Sequence, residues 1–392
     1  MKYNFDELNN RLGTYCTQWD YIEDRFNKKN LLPFSISDTD FIVPYPITKK
    51  IHELADKQIY GYIRWNHDDF KGAIANYLAR RFAVEVNKDW VVYSPSVMYT
   101  ISVLIRLLSK KNQGVLTLSP MYDSFFSVVK ENNRKLVTST LVNNNGRFEI
   151  DFEDLANKAS KCTLFLLCSP HNPTGRIWSK EELSKIIDIC QKNHLKIISD
   201  EIHMDLQLKT IKHTPILNFY TKYPDMYLVS SASKTFNTPG LVGSYALLPQ
   251  KNIYEQFLHQ TRKVDFLNSA SIFGMYATMI SYNDCVDYVE QLNEYIKKNM
   301  QLVVDFIQEN LKNFSFTIPD GTYLAWIDVT KVPYSAKQIQ QALVNVGGVG
   351  IMPGETYGSS KYLRMNVGCP RKKVLEGLKR IKKAMEYLYH NN

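Results

Sequence analysis

The sequence predicts an α/β protein in which a mainly parallel sheet is covered by helices on both faces. Three observations indicate this fold class. From residue 91 onward, short and nearly continuous apolar segments alternate with segments of helical periodicity. Several of the apolar segments are followed directly by polar residues, as at the carboxyl ends of parallel strands. The chain has 392 residues, which is long for one core, so a second, smaller domain is expected.

The composition along the chain predicts three parts. Residues 1–45 are loop-rich and aromatic, with prolines at Pro33 and Pro44, and we expect an N-terminal arm that completes the small domain and packs on a second subunit. Residues 46–285 form the predicted large domain. Residues 286–392 form the predicted small α+β domain, because long amphipathic segments replace the regular alternation there.

Each expected element follows from its local pattern. The apolar runs predict strands in the large domain at Val91–Ser94, Gly114–Ser119, Thr163–Cys168, Leu195–Ser199, Met226–Val229 and Ser244–Leu248. Helical periodicity predicts helices between them at Pro46–Lys57, Tyr99–Ser109, Phe125–Asn132 and Ser179–Lys192, the last beginning with a capping-box pattern. The small domain is expected to hold helices at Val286–Asn310, Ser335–Val344 and Lys372–Tyr389, and strands around Phe314–Ile318 and Leu324–Val329.

The composition excludes several classes of protein. Hydrophobic residues make up 44% of the chain and charged residues 22%, as in ordinary soluble proteins. The net charge of +9 is spread along the chain without zinc-finger spacing, so no nucleic-acid partner is expected. Anionic ligands would account for some of this positive charge. The six cysteines form no CxxC pair, and no apolar stretch approaches ~18 residues, so we expect a cytoplasmic protein with reduced thiols and no membrane segment.

A lysine follows one of the predicted strands in a setting suited to pyridoxal 5'-phosphate (PLP). Lys234 stands in Ser-Ala-Ser-Lys-Thr-Phe-Asn, residues 231–237, just after the apolar run Met226–Val229. A desolvated lysine amine can form a Schiff base, and nearby serine hydroxyls and backbone N–H groups can hold a phosphate. Asn172 and Asp200 follow two other predicted strands, and ligands of open α/β sheets bind at that edge. The combination indicates a PLP enzyme.

Three polar side chains have predicted roles around the cofactor ring. Asp200 would keep the pyridine nitrogen protonated, although an aspartate at this boundary could also cap a helix. Asn172 would hydrogen-bond the phenolic oxygen, a role compatible with the turn that Asn-Pro favours. His203 lies close enough in sequence to contact the phenolic side, although an isolated histidine is often simply part of the core or the surface.

Other residues are candidates for the phosphate, the ring and the substrate. The segment Ser94-Pro-Ser-Val-Met98 precedes a helix whose free N–H groups could bind the phosphate. Tyr122 could stack on the pyridine ring. Arg364 could clamp a substrate carboxylate with its two-pronged guanidinium, or it could be an ordinary strand arginine paired with a surface acid.

Motifs of other chemistries are missing. No G-x-G-x-x-G follows the first strand, and the chain contains no P-loop, no H-E-x-x-H and no G-x-S-x-G. We therefore expect no dinucleotide fold, no nucleotide hydrolase, no α/β hydrolase and no metal site.

The whole pattern resembles the fold-type I PLP enzymes of the aspartate aminotransferase superfamily. Within that superfamily it is similar to the C–S β-lyase branch, the cystathionine β-lyases of the maltose-regulon modulator and cystalysin type. The segments that carry the resemblance run through the chain: Thr17-Gln-Trp-Asp-Tyr21, Pro33-Phe-Ser-Ile-Ser-Asp-Thr-Asp-Phe41, Tyr60-Gly-Tyr-Ile-Arg-Trp65, Cys168-Ser-Pro-His-Asn-Pro-Thr-Gly175, Ile198-Ser-Asp-Glu-Ile-His203, Ser233-Lys-Thr-Phe-Asn237 and Leu363-Arg-Met-Asn-Val-Gly-Cys-Pro370.

This resemblance implies a seven-stranded main sheet and specific roles for the candidate residues. Lys234 would be the Schiff-base lysine, with Asp200 on the pyridine nitrogen and Asn172 on the phenolic oxygen. Tyr122 and Asn172 would also contact the substrate, whose carboxylate Arg364 would bind. The resemblance places four residues in the phosphate pocket: Val97, Met98, Ser231 and Ser233. Tyr62 would reach the phosphate of the neighbouring subunit's cofactor, which implies a homodimer with active sites at the subunit interface.

Two segments depart from the pattern of that branch. Thr39 replaces the usual methionine of the Asp-x-Asp-Phe element, and Ser35-Ile-Ser replaces the common Trp-Val-Ala. Since these positions lie near the substrate entrance in the family, the departures concern the substrate range and not the cofactor chemistry.

The resulting hypothesis is β-elimination from a sulfur-substituted L-amino acid, such as L-cystathionine or cysteine, to give a thiol, pyruvate and ammonia. An aminotransferase with the same site is the first alternative, because both reactions begin with loss of the Cα proton. A second alternative adds a regulatory role, in which the outer surface binds a transcription activator.

Overall fold

A computed structural model describes residues 3–391 of the chain and confirms the predicted α/β fold. Over these residues the strands are β1 Leu32–Pro33, β2 Val91–Ser94, β3 Gly114–Ser119, β4 Lys135–Thr140, β5 Val142–Asn144, β6 Arg147–Glu149, β7 Leu164–Cys168, β8 Lys196–Asp200, β9 Met226–Ser230, β10 Ser244–Leu247, β11 Leu324–Asp328, β12 Val349–Gly350, β13 Met352–Pro353 and β14 Tyr362–Asn366.

The α-helices over the same residues differ widely in length. They are α1 Glu23–Phe26, α2 Tyr45–Asp56, α3 Asp68–Phe82, α4 Val97–Leu108, α5 Asp123–Glu131, α6 Phe152–Ala159, α7 Lys180–Lys192, α8 Ser233–Phe236, α9 Lys251–His259, α10 Ile272–Asp284, α11 Val286–Asn310, α12 Ala336–Ala342 and α13 Arg371–Asn391.

The main sheet has seven strands in the order β2-β10-β9-β8-β7-β3-β4. Only β10 runs antiparallel to its neighbours, so the sheet is mainly parallel as predicted. All residues of β7 and β9 are buried, because helices cover both faces of the sheet. Consecutive strands therefore end side by side at one edge, and the loops that follow them share a single region of the molecule.

The sequence analysis missed one strand of this sheet and several helices. The edge strand β4 is half exposed and has the polar sequence Lys-Leu-Val-Thr-Ser-Thr, which forms no apolar run. Helix α10 has the opposite character, since it is apolar and is buried on most of its circumference. A helix without a polar face shows no amphipathic period, so its type cannot be read from periodicity.

A second sheet of three antiparallel strands, in the order β11-β14-β13, places Arg364 in its central strand. The predicted strand at Phe314–Ile318 is wrong. In that segment only Ser315 forms a bridge, with Asp328.

The N-terminal arm packs against the C-terminal part of the chain. Strand β1 pairs in parallel with β12, through Leu32 opposite Val349. Further along, the Asp40 carboxylate accepts hydrogen bonds from Lys373 at 2.5 Å and from Arg11 at 2.8 Å. These contacts fix residues 32–40 beside the edge of the main sheet where the cavity described below opens.

Within residues 3–391, none of the helices combines the length and the apolar character that crossing a membrane requires.

Candidate active site

A cavity of about 450 Å³ lies at the carboxyl ends of the main-sheet strands. Its volume is in the usual range for small-molecule sites. The residues that line it and were predicted from sequence are Val97, Met98, Tyr122, Asn172, Asp200, His203, Ser231, Ser233, Lys234 and Arg364. The structure thus brings together every candidate site residue except Tyr62.

Lys234 lies in the short helix α8, which begins three residues after β9 ends. Its Nζ donates a hydrogen bond to the Ser37 carbonyl at 2.5 Å. Burial lowers the pKa of the Lys234 amine and the nearby Arg364 lowers it further, while Asp38 and Asp200 act in the opposite direction. The adjacent Thr235 hydroxyl donates to the buried Asp205 carboxylate at 3.0 Å and so anchors the helix. A buried amine of lowered pKa is suited to act as a nucleophile and as a base.

Asp200 is the last residue of β8 and is only 4% exposed. Its Oδ1 accepts a hydrogen bond from the Ile202 N–H at 3.1 Å. Burial raises the pKa of the Asp200 carboxyl to about 7, although the Ile202 N–H and Lys234 lower it. A buried carboxylate without an ion-pair partner among residues 3–391 would be stabilised by a protonated ring nitrogen.

Arg364 reaches the cavity from the other sheet and is 3% exposed. Its Nη1 donates to Asn172 Oδ1 at 3.1 Å, and its Nη2 donates to the Ser35 carbonyl at 2.7 Å. The guanidinium lies over the Tyr357 ring, with 4.3 Å between Cζ and the ring centroid. The sequence alternative of an arginine paired with a surface acid is therefore wrong. Arg364 is a buried cation that faces the cavity.

His203 and Tyr122 are aromatic walls of the cavity. Burial lowers the pKa of His203 to about 3, with smaller contributions from Lys234 and Arg364, so its ring is neutral near pH 7. The ring packs edge-on to Tyr323 with 5.7 Å between centroids. Tyr122 precedes α5, and burial raises the pKa of its hydroxyl. Both side chains offer uncharged surfaces to a planar ligand.

One side of the cavity has the features of an anion site. Ser96 caps α4 by accepting a hydrogen bond from the Tyr99 N–H at 3.1 Å, which leaves first-turn N–H groups at Val97 and Met98. Opposite them, the Ser231 and Ser233 hydroxyls are 2.9 Å apart. A helix N-terminus facing two hydroxyls is suited to a phosphate.

These side chains fit PLP part by part. The N-terminus of α4 and the two serines match the phosphate, and Asp200 matches the ring nitrogen. Lys234 matches the aldehyde, and Asn172 matches the phenolic oxygen. The orphaned buried atoms of the site support this assignment, because His203 Nδ1 and Arg364 Nε have no hydrogen-bond partner among residues 3–391.

Several lining residues were not predicted as site residues. The arm contributes Ser35, Ile36 and Ser37, and the loop after β13 contributes Tyr357. The hydroxyls of Ser35 and Ser37 are buried and lack partners within the described chain. The one signal in the sequence for these arm residues was that Ser35-Ile-Ser departs from the Trp-Val-Ala common in the β-lyase branch. That departure did not show that their side chains line the same cavity as Lys234.

Tyr62 does not line this cavity and is 98% exposed. Its predicted contact is with the cofactor of a neighbouring subunit. That role therefore stays a prediction.

The comparisons with known proteins agree with the geometry. Residues 29–381 match the family described as aminotransferase class I and II. The chain is 35% identical to protein MalY of Escherichia coli over 380 residues, covering 96% of this chain and 97% of MalY. It is 33% identical to the cystathionine beta-lyase PatB of Bacillus subtilis over 387 residues, covering 97% of this chain and 100% of PatB. The crystal structure of cystalysin from Treponema denticola, which contains PLP, superposes with a TM-score of 0.93 at 27% identity, covering 99% of this chain and 100% of cystalysin.

Proposed function

We propose that this chain, which belongs to the class I and II aminotransferase family, is a PLP-dependent C–S lyase that releases a thiol from a sulfur-substituted L-cysteine. The observation that carries the proposal is the placement of the Lys234 amine, the Asp200 carboxylate and the Arg364 guanidinium around one cavity. The full-length similarity to a cystathionine beta-lyase supports the choice of leaving group. We propose L-cystathionine as the substrate, with pyruvate, ammonia and homocysteine as products.

Three side chains would divide the work of the reaction. Arg364 binds the substrate α-carboxylate with its guanidinium, which Asn172 and the Ser35 carbonyl hold in place. Lys234 removes the Cα proton, a role favoured by burial, which lowers the pKa of its amine. When bound, PLP supplies an electron sink for the negative charge that develops at Cα. Asp200 holds a proton on the ring nitrogen and so keeps that sink effective.

Loss of the Cα proton allows the C–S bond at Cβ to break, and the electron pair leaves with the sulfur as a thiolate. The remaining fragment takes up water to give pyruvate and ammonia. The neutral His203 and the aromatic Tyr122 exclude water from the site without adding charge.

We also propose that the functional unit is a homodimer. Segments 59–62 and 266–273 lie together, because Ser269 Oγ accepts a hydrogen bond from the Ile63 N–H at 3.2 Å and Tyr60 contacts Phe273. Five large hydrophobic residues of this region are exposed: Ile59, Tyr60, Tyr62, Phe266 and Leu267. Exposed apolar residues concentrated on one surface suit a contact with a second copy of the chain.

An aminotransferase is the second candidate, because the family contains such enzymes and the proton transfer at Cα is common to both reactions. The two are separated by the products. We expect purified, PLP-loaded protein to release equal amounts of thiol and pyruvate from L-cystathionine. Amino transfer to a keto acid without thiol release would replace the lyase by the aminotransferase.

The matched variant for this experiment is Lys234→Ala. We expect it to lose thiol release by roughly 100-fold or more, because the general base is removed. It should also lose the visible absorption of lysine-bound PLP, a readout that does not depend on turnover. Lys29→Ala, an exposed lysine of the arm, is the control and should retain both properties.

A further inference from the structure

Two charged residues at the cavity have no part in the mechanism proposed above. Arg25 belongs to α1 in the arm, and Asp123 is the first residue of α5. Both line the cavity. Within residues 3–391, the two side chains do not pair with each other, and neither forms a hydrogen bond or an ion pair with another residue. Arg25 is exposed and Asp123 is half-buried, and together they present a cation and an anion to the same cavity.

Arg25 is held at the cavity by its neighbours in α1. Ile22 packs with Leu31 and Val344 in a small apolar cluster, against which Phe26 also lies. The helix contacts β12 so closely that a Cβ on Gly350 would lie 2.8 Å from Phe26 and 2.9 Å from Ile22. Because Ile22 and Phe26 lie on either side of Arg25 in sequence, their packing fixes the backbone from which the Arg25 side chain reaches the cavity.

Tyr357 shows at which end of the cavity the two charges lie. Its ring lies under the Arg364 guanidinium. Burial raises the pKa of the Tyr357 hydroxyl, and the charge of Arg364 lowers it. The charges of Asp123 and Arg25 also act on this pKa, since Asp123 raises it and Arg25 lowers it. Arg25 and Asp123 therefore act on the residue next to the substrate-binding arginine.

We infer that Arg25 and Asp123 form a subsite for the far end of the substrate, and that this end is a second α-amino acid group with one ammonium and one carboxylate. This inference rests on the proposed C–S lyase function and specifies its substrate class. In such a substrate the reacting amino acid is bound at Arg364. The sulfur substituent then extends towards the arm, where Arg25 pairs with the carboxylate and Asp123 with the ammonium.

The charge pattern selects among possible substituents. An alkyl group would leave both charges unpaired, a lone carboxylate would be repelled by Asp123, and a lone ammonium would be repelled by Arg25. Only a substituent with both charges satisfies both residues. The uncharged Ser35 and Ser37 hydroxyls, buried and without partners in the described chain, add hydrogen-bonding capacity to the same wall of the cavity.

The first test compares L-cystathionine with S-ethyl-L-cysteine, whose sulfur substituent is neutral. We expect Arg25→Gln and Asp123→Asn each to lower kcat/KM for L-cystathionine by about two- to fivefold relative to S-ethyl-L-cysteine, the usual effect of one solvent-exposed charge contact. The controls are Lys29→Gln in the arm and Asp69→Asn, an acid in the first turn of α3 as Asp123 is in α5. Neither should change the ratio.

The second test measures increases in kcat/KM, which a variant with a damaged fold cannot produce. Arg25→Gln should raise kcat/KM for S-(2-aminoethyl)-L-cysteine, whose substituent has only an ammonium. Asp123→Asn should raise it for S-carboxymethyl-L-cysteine, whose substituent has only a carboxylate. Gains with these two substrates, together with losses for L-cystathionine, would support the subsite. Equal losses on every substrate, or unchanged ratios, would overturn it.

A binding measurement separates this inference from the lyase proposal. In the Lys234→Ala background, equilibrium dialysis of L-cystathionine against PLP-loaded protein reports affinity without turnover. A roughly two- to fivefold weaker Kd on adding Arg25→Gln supports the subsite even if the wild-type protein releases no thiol, a result that would reject the lyase proposal alone. An unchanged Kd would reject the subsite, whatever the activity.

Discussion

The Nη1 of Arg364 donates a hydrogen bond to Oδ1 of Asn172 over 3.1 Å, which joins the central strand of the small sheet to the loop after β7. Arg364 and Asn172 are 192 residues apart in the chain. The bond fixes the guanidinium plane, and it also directs the Asn172 amide nitrogen away from Arg364. In the proposed function, the same pair would prepare one group for a carboxylate and another for the phenolic oxygen of the cofactor.

The first prediction concerns Arg364→Lys. A lysine keeps the charge but cannot make both bonds to Asn172 and Ser35 and still bind a carboxylate with two parallel hydrogen bonds. We expect kcat/KM for L-cystathionine to fall by roughly 100-fold, mainly through a higher KM, with PLP affinity nearly unchanged. Steady-state kinetics and cofactor titration would measure the two effects. The control is Arg147→Lys, a half-exposed arginine outside the cavity. A loss of PLP affinity equal to the loss of activity would contradict the proposed division of roles.

The second prediction concerns Asp200 and pH. Burial raises the pKa of its carboxyl from 3.8 to about 7 in the cofactor-free protein, so the folded chain holds this proton more tightly than the unfolded chain does. This contribution to the free energy of unfolding therefore falls as pH rises from about 4 to about 7 and stays low above that. At pH 8, Asp200→Asn should make the cofactor-free protein more stable than wild type by about 2–4 kcal/mol.

The difference between the two proteins should disappear near pH 4, where both carry an uncharged side chain at this position. Urea unfolding of both proteins at the two pH values would measure it. The same variant should lose at least roughly 100-fold in thiol release once PLP is added, because the ring nitrogen loses its carboxylate. A wild-type protein that is more stable than the variant at pH 8 without PLP would show that Asp200 is ionised and well solvated there.

The third prediction concerns the docking of the arm. Gly350→Ala would place a methyl group 2.8 Å from Phe26 and 2.9 Å from Ile22, so α1 would have to move. We expect a loss of about 1–3 kcal/mol in the free energy of unfolding and faster proteolysis within residues 1–31. The matched control is Gly72→Ala in α3, where nothing lies within 4 Å of the new Cβ. That substitution should leave stability equal or slightly higher, because alanine favours the helix. Equal behaviour of the two variants would show that α1 is not tightly docked.

The fourth prediction concerns Tyr62 and the homodimer. If Tyr62 contacts the neighbouring subunit's cofactor, Tyr62→Ala and Lys234→Ala should each be nearly inactive alone. A hybrid dimer of the two would have one site with both defects and one intact site. After unfolding and refolding an equal mixture, we expect roughly a quarter of wild-type thiol release, since half of the dimers are hybrids. Light scattering would verify that dimers formed. Dimers without recovered activity would place the function of Tyr62 within its own chain.

The sequence made the centre of the candidate site predictable because the relevant positions follow buried strands. Asn172, Asp200 and Lys234 each come shortly after an apolar run, and neighbouring parallel strands bring such positions together whatever the loops between them do. The failures have the same local origin. The polar edge strand β4 forms no apolar run, and the mostly buried helix α10 shows no amphipathic period.

By itself, the sequence determined the α/β class, the cofactor chemistry and the residues at the strand ends, because these depend on local hydrophobic periodicity and on residue types in short segments. Only the tertiary structure decided what surrounds them. The arm brings Arg25, Ser35 and Ser37 to a cavity whose lysine is about two hundred positions further along the chain. No local sequence pattern predicts that these arm residues lie at the cavity. Their position depends on how Ile22 and Phe26 pack against β12 and on which carbonyls Arg364 and Lys234 can reach. The proposed selection of the substrate therefore depends on long-range packing, while the proposed chemistry depends on residues at the ends of the strands.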